Sequence, residues 1–383
     1  MARNMNSRRA APPRRATPAA AAADFGQIAL VLQGGGALGA YQVGVYQALH
    51  EAGIEPDWII GTSIGAINGA IIAGNPPAAR MSRLDRFWDL VQHRGSGGLG
   101  AWWPGLDNTL GNLTTVSRGI AGFFEPHPQA IWGMNSPSGV ERAAFYTTEP
   151  LARTLAELVD FDYINARHGR LTLGAVNVSR GEMRYFDSRD QPLDTRHVMA
   201  SGALPPAFPA IRIDGEAYWD GGIFSNTPIE VVLDDKPRRN SLIFSANVWH
   251  PQAPEPETIT QVLSRLKDVQ YASRYKSHVA RQQQIHRMRH IVRDLGRQMT
   301  AAQRELPAVR DLLAYGCSTV MHVVPLFAPR LGNEDHTKDI DFTPAGIQAR
   351  RQAGYADTRR RISEAPWLNV ADAMDGVVVH END

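Results

Sequence analysis

An α/β fold, with a central and mainly parallel sheet between helical layers, is predicted for this chain of 383 residues by two observations. Apolar strand-like runs alternate with helix-like runs from residue 25 onward, as in doubly wound proteins. Two glycine-rich turns, Gly34-Gly35-Gly36-Ala37-Leu38-Gly39 and Gly61-Thr62-Ser63-Ile64-Gly65, each separate a strand-like run from a helix-like run. Such turns surface at the carboxyl edge of the sheet, where α/β proteins place their chemistry. The length allows a large core, in one large domain or two modest ones.

The elements follow in chain order. Residues 1–24 are rich in Ala, Pro and Arg and read as a disordered basic tail. Arginines precede the run Ala19 to Ala23, but that run is too short and too weakly apolar for an export signal. Gln27 to Gln33 reads as a strand, Ala40 to Glu51 as a helix, Trp58 to Gly61 as a second strand and Ile64 to Ala73 as a second helix. Residues 94–138 break the rhythm. They carry Trp102, Trp103, Phe123, Phe124 and Trp132 without a sustained period, and are expected to form an irregular insertion with its own small core, or a lid.

Pro150 introduces a helix over Leu151 to Val159, and strands are expected at Leu171 to Val178, Met183 to Phe186 and Leu242 to Val248. Residues 25–255 thus form the principal domain. From about residue 256 a largely helical, basic C-terminal extension is predicted: one long helix or a helix pair over Thr258 to Arg297, a strand over Thr319 to Phe327, and a helix from Pro344 to about Ile362. There is no internal repeat.

Bulk composition excludes several classes. With 40 basic and 39 acidic residues the formal net charge is +1, so no global field points to nucleic acid. The single cysteine, Cys317, rules out an intrachain disulfide and a cysteine-rich zinc site, and is expected to be a small buried apolar residue. No stretch approaches the ~18 unbroken apolar residues of a membrane span, so a cytoplasmic protein is expected. The basic C-terminal helices fit a solvated face, a subunit contact in a homo-oligomer, or a peripheral contact with an anionic membrane.

Gly61-Thr62-Ser63-Ile64-Gly65 matches G-x-S-x-G, the nucleophile elbow, whose small flanking residues let the chain bend and expose a hydroxyl. A serine needs a base for its proton and donors for the oxyanion that forms on the attacked carbonyl. Histidines occur late in the chain at His250, His322, His336 and His380, none in a sharp motif. Tyr218-Trp219-Asp220-Gly221-Gly222, by contrast, ends a strand-like run in a glycine turn that exposes a carboxylate to close backbone approach. The first glycine turn alone also fits a dinucleotide fingerprint. That requires an acidic residue after the second strand, whereas Asp57 precedes it.

Residues from about Gln27 to Leu233 resemble the patatin-like phospholipases. The resemblance rests on the glycine loop Gly34 to Gly39, the elbow Gly61 to Gly65, the triplet Asp220-Gly221-Gly222, and the approach Ala200-Ser201-Gly202-Ala203-Leu204-Pro205-Pro206-Ala207-Phe208-Pro209. It implies the family's three-layer fold and a dyad with Ser63 as nucleophile and Asp220 as base. It also implies an oxyanion hole of backbone N–H groups from Gly34, Gly35, Gly36 and Ala37, with Gly39, Gly61, Gly65, Gly221 and Gly222 supporting the turns. The implied activity is hydrolysis of a fatty acyl ester of a phospholipid or related lipid, with no metal and no cofactor. Short hydroxyacyl esters, or a weakly active membrane-associated scaffold, are the competing expectations. Leu38 departs from the family, many members having Arg or Lys there. Asp187, Asp214 and His197 are expected to be turn or surface residues, and Asn68 to secure the helix after the serine. The C-terminal region resembles a segment appended to some bacterial patatin-like proteins.

Overall fold

Every residue of Ile28–Leu32 is apolar and buried, as in a strand covered on both faces. That strand, β1, lies near the middle of a nine-stranded sheet in the computed structural model, which describes residues 22, 25–92, 119–128, 137–332, 334–369, 372 and 374–381. The expected basic tail except Ala22, and all of the aromatic insertion except 119–128 and 137–138, lie outside the described residues.

The chain runs through β1, α1 (Ala40–Glu51), β2 (Trp58–Gly61), α2 (Ile64–Ala73), α3 (Pro77–Val91), a ribbon of β3 (Glu125–Pro126) and β4 (Tyr146–Thr147), α4 (Glu149–Leu158) and α5 (Phe161–Asn165). There follow β5 (Arg170–Asn177), β6 (Glu182–Asp187), α6 (Thr195–Ser201), β7 (Ile211–Ile213), β8 (Glu216–Asp220), α7 (Glu230–Leu233) and β9 (Ser241–Asn247). The remainder comprises α8 (Ile259–Gln298), α9 (Ala301–Arg304), α10 (Pro307–Leu313), β10 (Met321–Phe327), α11 (Pro344–Glu364) and β11 (Val377–Val379). The strand order is β11-β10-β9-β1-β2-β5-β8-β7, with β6 on the other edge of β5. Pairing is parallel from β11 to β5 and antiparallel beyond it.

Register places the site. Leu32 of β1 stands opposite both Gly61 of β2 and Ala246 of β9, so three carboxyl ends finish level at one edge. Along a single edge of β5, β2 pairs with residues 170–173 and the antiparallel β8 with residues 175–177. These two strands therefore point their carboxyl ends at each other, and the residues that follow β2 meet the last residue of β8.

The long basic segment is one uninterrupted helix, α8, opened by a capping box between Thr258 and Gln261. The extension is not only helical, because β10 and β11 continue the main sheet outward from β9. Helix α11 packs on α1, and their backbones touch where Gly44 faces Arg351 and Gly354 faces Tyr41.

Asp187, expected at a turn or on the surface, is buried. Its carboxylate accepts from Thr172 Oγ1 at 2.8 Å and pairs with Arg170 at 2.7 Å. Arg170 also pairs with Asp235 at 2.8 Å and stacks its guanidinium 3.5 Å from the ring centre of the buried Trp58. Arg170→Ala leaves the buried Asp187 carboxylate without a cation and Asp235 with Arg189 alone, and is expected to cost about 3–5 kcal/mol in denaturant unfolding. A loss under about 1 kcal/mol would show that water replaces the guanidinium. His197 is likewise buried, in a capping box with Asp194 at the start of α6 and edge-on to Phe186. Asp214 sits in an exposed turn, and Cys317 is only half-buried.

Candidate functional site

Ser63 takes φ 56° and ψ −126°, a conformation that costs a residue with a side chain on the order of 1–3 kcal/mol and persists only when its surroundings enforce it. Here they do. The Ser63 N–H donates to Ser201 at the end of α6, with the Ser201 carbonyl oxygen and Oγ each 3.1 Å away, and Ser201 Oγ donates to Gly174 O at 2.6 Å. One turn later Asn68 donates to Gly39 O at 3.1 Å and to Gln42 Oε1 at 2.9 Å, and accepts from Trp88 Nε1 at 3.0 Å. The hydroxyl is thus held at the first turn of α2, where the helix dipole favours negative charge.

Asp220 is buried at the end of β8. Its Oδ1 accepts from the Gly222 N–H at 2.7 Å, and the Ser63 hydroxyl lies within hydrogen-bonding reach of the carboxylate. Burial raises its pKa to about 7, against the smaller opposing effects of Gly222 and Ser63. A carboxylate so desolvated is a far better base than one in water.

The glycine loop lies across the site. Gly34 O accepts from Trp249 Nε1 at 2.7 Å and Asn226 Nδ2 at 3.0 Å. In a trans peptide the C=O and N–H point opposite ways, so pinning this carbonyl turns the Gly35 N–H toward the other side. Gly34, expected among the oxyanion donors, gives its own N–H to Asn226 O at 3.2 Å. The N–H groups of Gly35, Gly36 and Ala37 meet no acceptor among the described residues. Gly36 has φ +55°, and a Cβ there would overlap Asp339 O. Leu38 turns away from the site and is buried beside Tyr41, Val248 and Ala353.

These parts wall a cavity of about 210 Å³. Ser63, Asp220, Asn226 and Tyr271 form its polar end, and Ile64, Ile67, Phe123, Phe124, Phe208 and Phe342 make the rest an apolar chamber. Tyr271, Asp339, Ile340 and Phe342 come from the C-terminal region, which therefore shapes the site directly. None of His250, His322, His336 and His380 lines it. His250 is driven to a pKa of about 4, chiefly by burial, and His322 pairs with His380 at 2.9 Å.

Sequence reasoning missed Gln33, Ser201, Asn226, Trp249 and Tyr271 as parts of the site. Gln33 binds three segments: its Oε1 accepts from the N–H groups of Val248 (2.5 Å) and Trp249 (3.0 Å), while its Nε2 donates to Thr227 Oγ1 (2.6 Å) and Tyr271 O (3.3 Å). Its only sequence signal was a polar residue at the end of an apolar strand, directly before the glycines.

A family profile for patatin-like phospholipase matches residues 30–233, and another described as patatin phospholipase matches residues 269–374. Lysophospholipase nte1 of Aspergillus terreus is 28% identical over 264 residues, covering 62% of this chain and 15% of the relative. Patatin-like phospholipase domain-containing protein 6 of Mus musculus is 49% identical over 61 residues, covering 16% of this chain and 4% of the relative. The chain thus spans 15% or less of the length of these relatives. Among solved structures, VipD from Legionella pneumophila aligns with a TM-score of 0.40 and 18% identity, over 88% of this chain and 67% of that one.

Proposed function

The chain belongs to the patatin-like phospholipase family, and on that premise we propose that it is a serine hydrolase cleaving fatty acyl esters of phospholipids or related lipids through Ser63 and Asp220. One observation carries the proposal. A serine held at positive φ lies within hydrogen-bonding reach of a buried carboxylate whose pKa is near 7, at the end of an apolar chamber.

In the first half-reaction Asp220 takes the Ser63 proton as Oγ attacks the ester carbonyl carbon. The oxyanion receives the N–H groups of Gly35, Gly36 and Ala37 and faces the start of α2. Collapse of the tetrahedral intermediate breaks the ester C–O bond, and Asp220 returns the proton to the departing alcohol, leaving an acyl-Ser63. In the second half Asp220 takes a proton from water, the hydroxide attacks the acyl carbonyl, and Ser63 leaves with the proton from Asp220. The phenyl rings of the chamber suit a hydrocarbon chain.

Gly36→Ala tests the loop apart from the dyad. Its Cβ must displace the loop or the Asp339 turn, so kcat is expected to fall about 10²-fold with KM nearly unchanged. An unchanged kcat removes Gly36 from the oxyanion site. The activity itself is tested with esters from short acyl chains to phospholipids, on the parent and Ser63→Ala. Turnover of every ester by Ser63→Ala at the parental rate refutes the proposal, and turnover of short esters alone by the parent refutes the lipid substrate. Among the described residues no helix is long and apolar enough to cross a membrane; in this proposal the basic C-terminal helices give access to lipid by a peripheral contact.

A further inference from the structure

Apolar side chains collect on the outer face of α8 as well as beneath it. Ile259, Val262, Leu263, Leu266 and Val269 are exposed, Ile259 and Leu266 by 82% and 59%. At about 100° per residue these five fall within an arc of about 120°. Ile223 and Phe224, in the turn directly after Asp220-Gly221-Gly222, are exposed beside Val269 and extend the surface. Between them lies a second cavity of about 290 Å³, whose wall shares Gly222, Asn226 and Tyr271 with the cavity that holds Ser63. The apolar surface is therefore continuous with the wall of the site. Contiguous exposed apolar surface of this kind marks a place of contact.

Cations border the same arc over the following turns, Arg274 and Arg281 on one side and Lys276 and Arg287 on the other. Among the described residues the lysine and arginine ion pairs along α8 involve Lys267, Arg293 and Arg297, and these four cations have none. Arg274 instead stacks on Phe224, 4.6 Å from its ring centre, and donates to the Phe224 carbonyl, which ties the charged turns to the apolar ones. The only acids of α8 are Asp268, which is buried, and Asp294, which pairs with Arg293. A second copy laid in register on this face would bring arginine against arginine, with no free carboxylate on α8 to answer it. An anionic bilayer supplies both an apolar phase and the opposite charge.

We infer that the first three turns of α8, with Ile223 and Phe224, form a docking surface for an anionic phospholipid bilayer. The apolar side chains enter the headgroup–acyl boundary, and Arg274, Lys276, Arg281 and Arg287 meet the lipid phosphates. Docking so places the cavity wall at the lipid surface, a consequence that rests on the hydrolase proposal, whereas docking itself does not.

The test uses the full chain, its Val262→Glu/Leu266→Glu variant and its Arg281→Glu/Arg287→Glu variant. All substituted side chains lie on the outer face of α8 and away from Ser63. Each protein is sedimented with vesicles of equimolar phosphatidylcholine and phosphatidylglycerol, and with vesicles of phosphatidylcholine alone. Hydrolysis of a water-soluble short-chain ester and mass by light scattering are measured in parallel. The parent is expected to partition onto the anionic vesicles and lose this at high salt, and each variant to bind at least about tenfold more weakly, with short-ester turnover unchanged within about twofold. Equal binding by parent and variants overturns the inference. So does a parental dimer that the variants dissociate, which makes the face a subunit contact. Vesicle binding without hydrolysis of any ester leaves the docking surface standing and removes the hydrolase proposal.

Discussion

Ser63→Ala and Asp220→Asn are each expected to lower kcat for ester hydrolysis by about 10⁴-fold or more, and both proteins to remain folded. The two losses are of similar size because the residues act as a unit: a nucleophile without its base is as inert as a base without its nucleophile. Asp220→Asn keeps an oxygen for the Gly222 N–H, which reaches Oδ1 at 2.7 Å, so the turn after β8 holds its shape. The measurement is steady-state turnover of a soluble ester, alongside labelling of Ser63 by a fluorophosphonate, which the parent undergoes and the variants do not. An Asp220→Asn enzyme with more than about a tenth of parental turnover would falsify the dyad. Stability moves the opposite way. The folded protein holds the Asp220 proton up to about pH 7, whereas the unfolded chain releases it near 3.8. Below the lower value neither state is charged and the group has no effect. Between the two, burial of the acid costs stability progressively, reaching at most about 4 kcal/mol above the higher value. Asp220→Asn removes that cost, so its thermal midpoint exceeds the parental one at pH 8 and matches it near pH 4.

The second large effect is on pH dependence. In the proposed mechanism Asp220 works as an anion, so kcat/KM is expected to rise about tenfold per pH unit through the acid range and to level off near pH 7. At about pH 5 the enzyme retains about a hundredth of its plateau activity. An imidazole base gives a similar limb, and a water-miscible organic co-solvent tells them apart. Ionising a carboxylic acid creates charge, so a less polar medium moves the limb to higher pH, whereas an imidazolium loses charge and its limb moves the other way. A limb near pH 4, or one displaced downward by co-solvent, removes Asp220 as the base.

Much of the fold was legible because its signals are local. Ala40–Glu51 and Ile64–Ala73 begin and end where glycine and apolar spacing indicate, and β1, β2 and β9 are short apolar runs between turn residues. Helix α3 went unread although Pro77 opens it, and the three-residue strands β7 and β11 are too short for any period to register. Asp187 and His197 read as turn or surface residues because sequence shows a polar side chain without showing its partner. Burial of such groups is set by what lies opposite, and in these cases that was Arg170 and the start of α6.

By itself the sequence determined which residues are the candidates for the chemistry: the serine in its elbow, the glycine loop and the aspartate in its turn are contiguous motifs whose small residues permit only a few backbone paths. It also determined that a basic region follows them. Only the tertiary structure decided how these parts combine. The head-on meeting of β2 and β8 along one edge of β5 is a matter of register, and it brings Ser63 to Asp220 across more than 150 residues of chain. Desolvation, which raises Asp220 to about 7, depends on every neighbour at once. The engagement of the Gly34 N–H by Asn226, and the entry of Tyr271 and Phe342 from the C-terminal region into the cavity wall, are likewise long-range contacts. Residue type and local spacing specify what a group can do, whereas its environment, made by distant segments, sets whether and at what pH it does it.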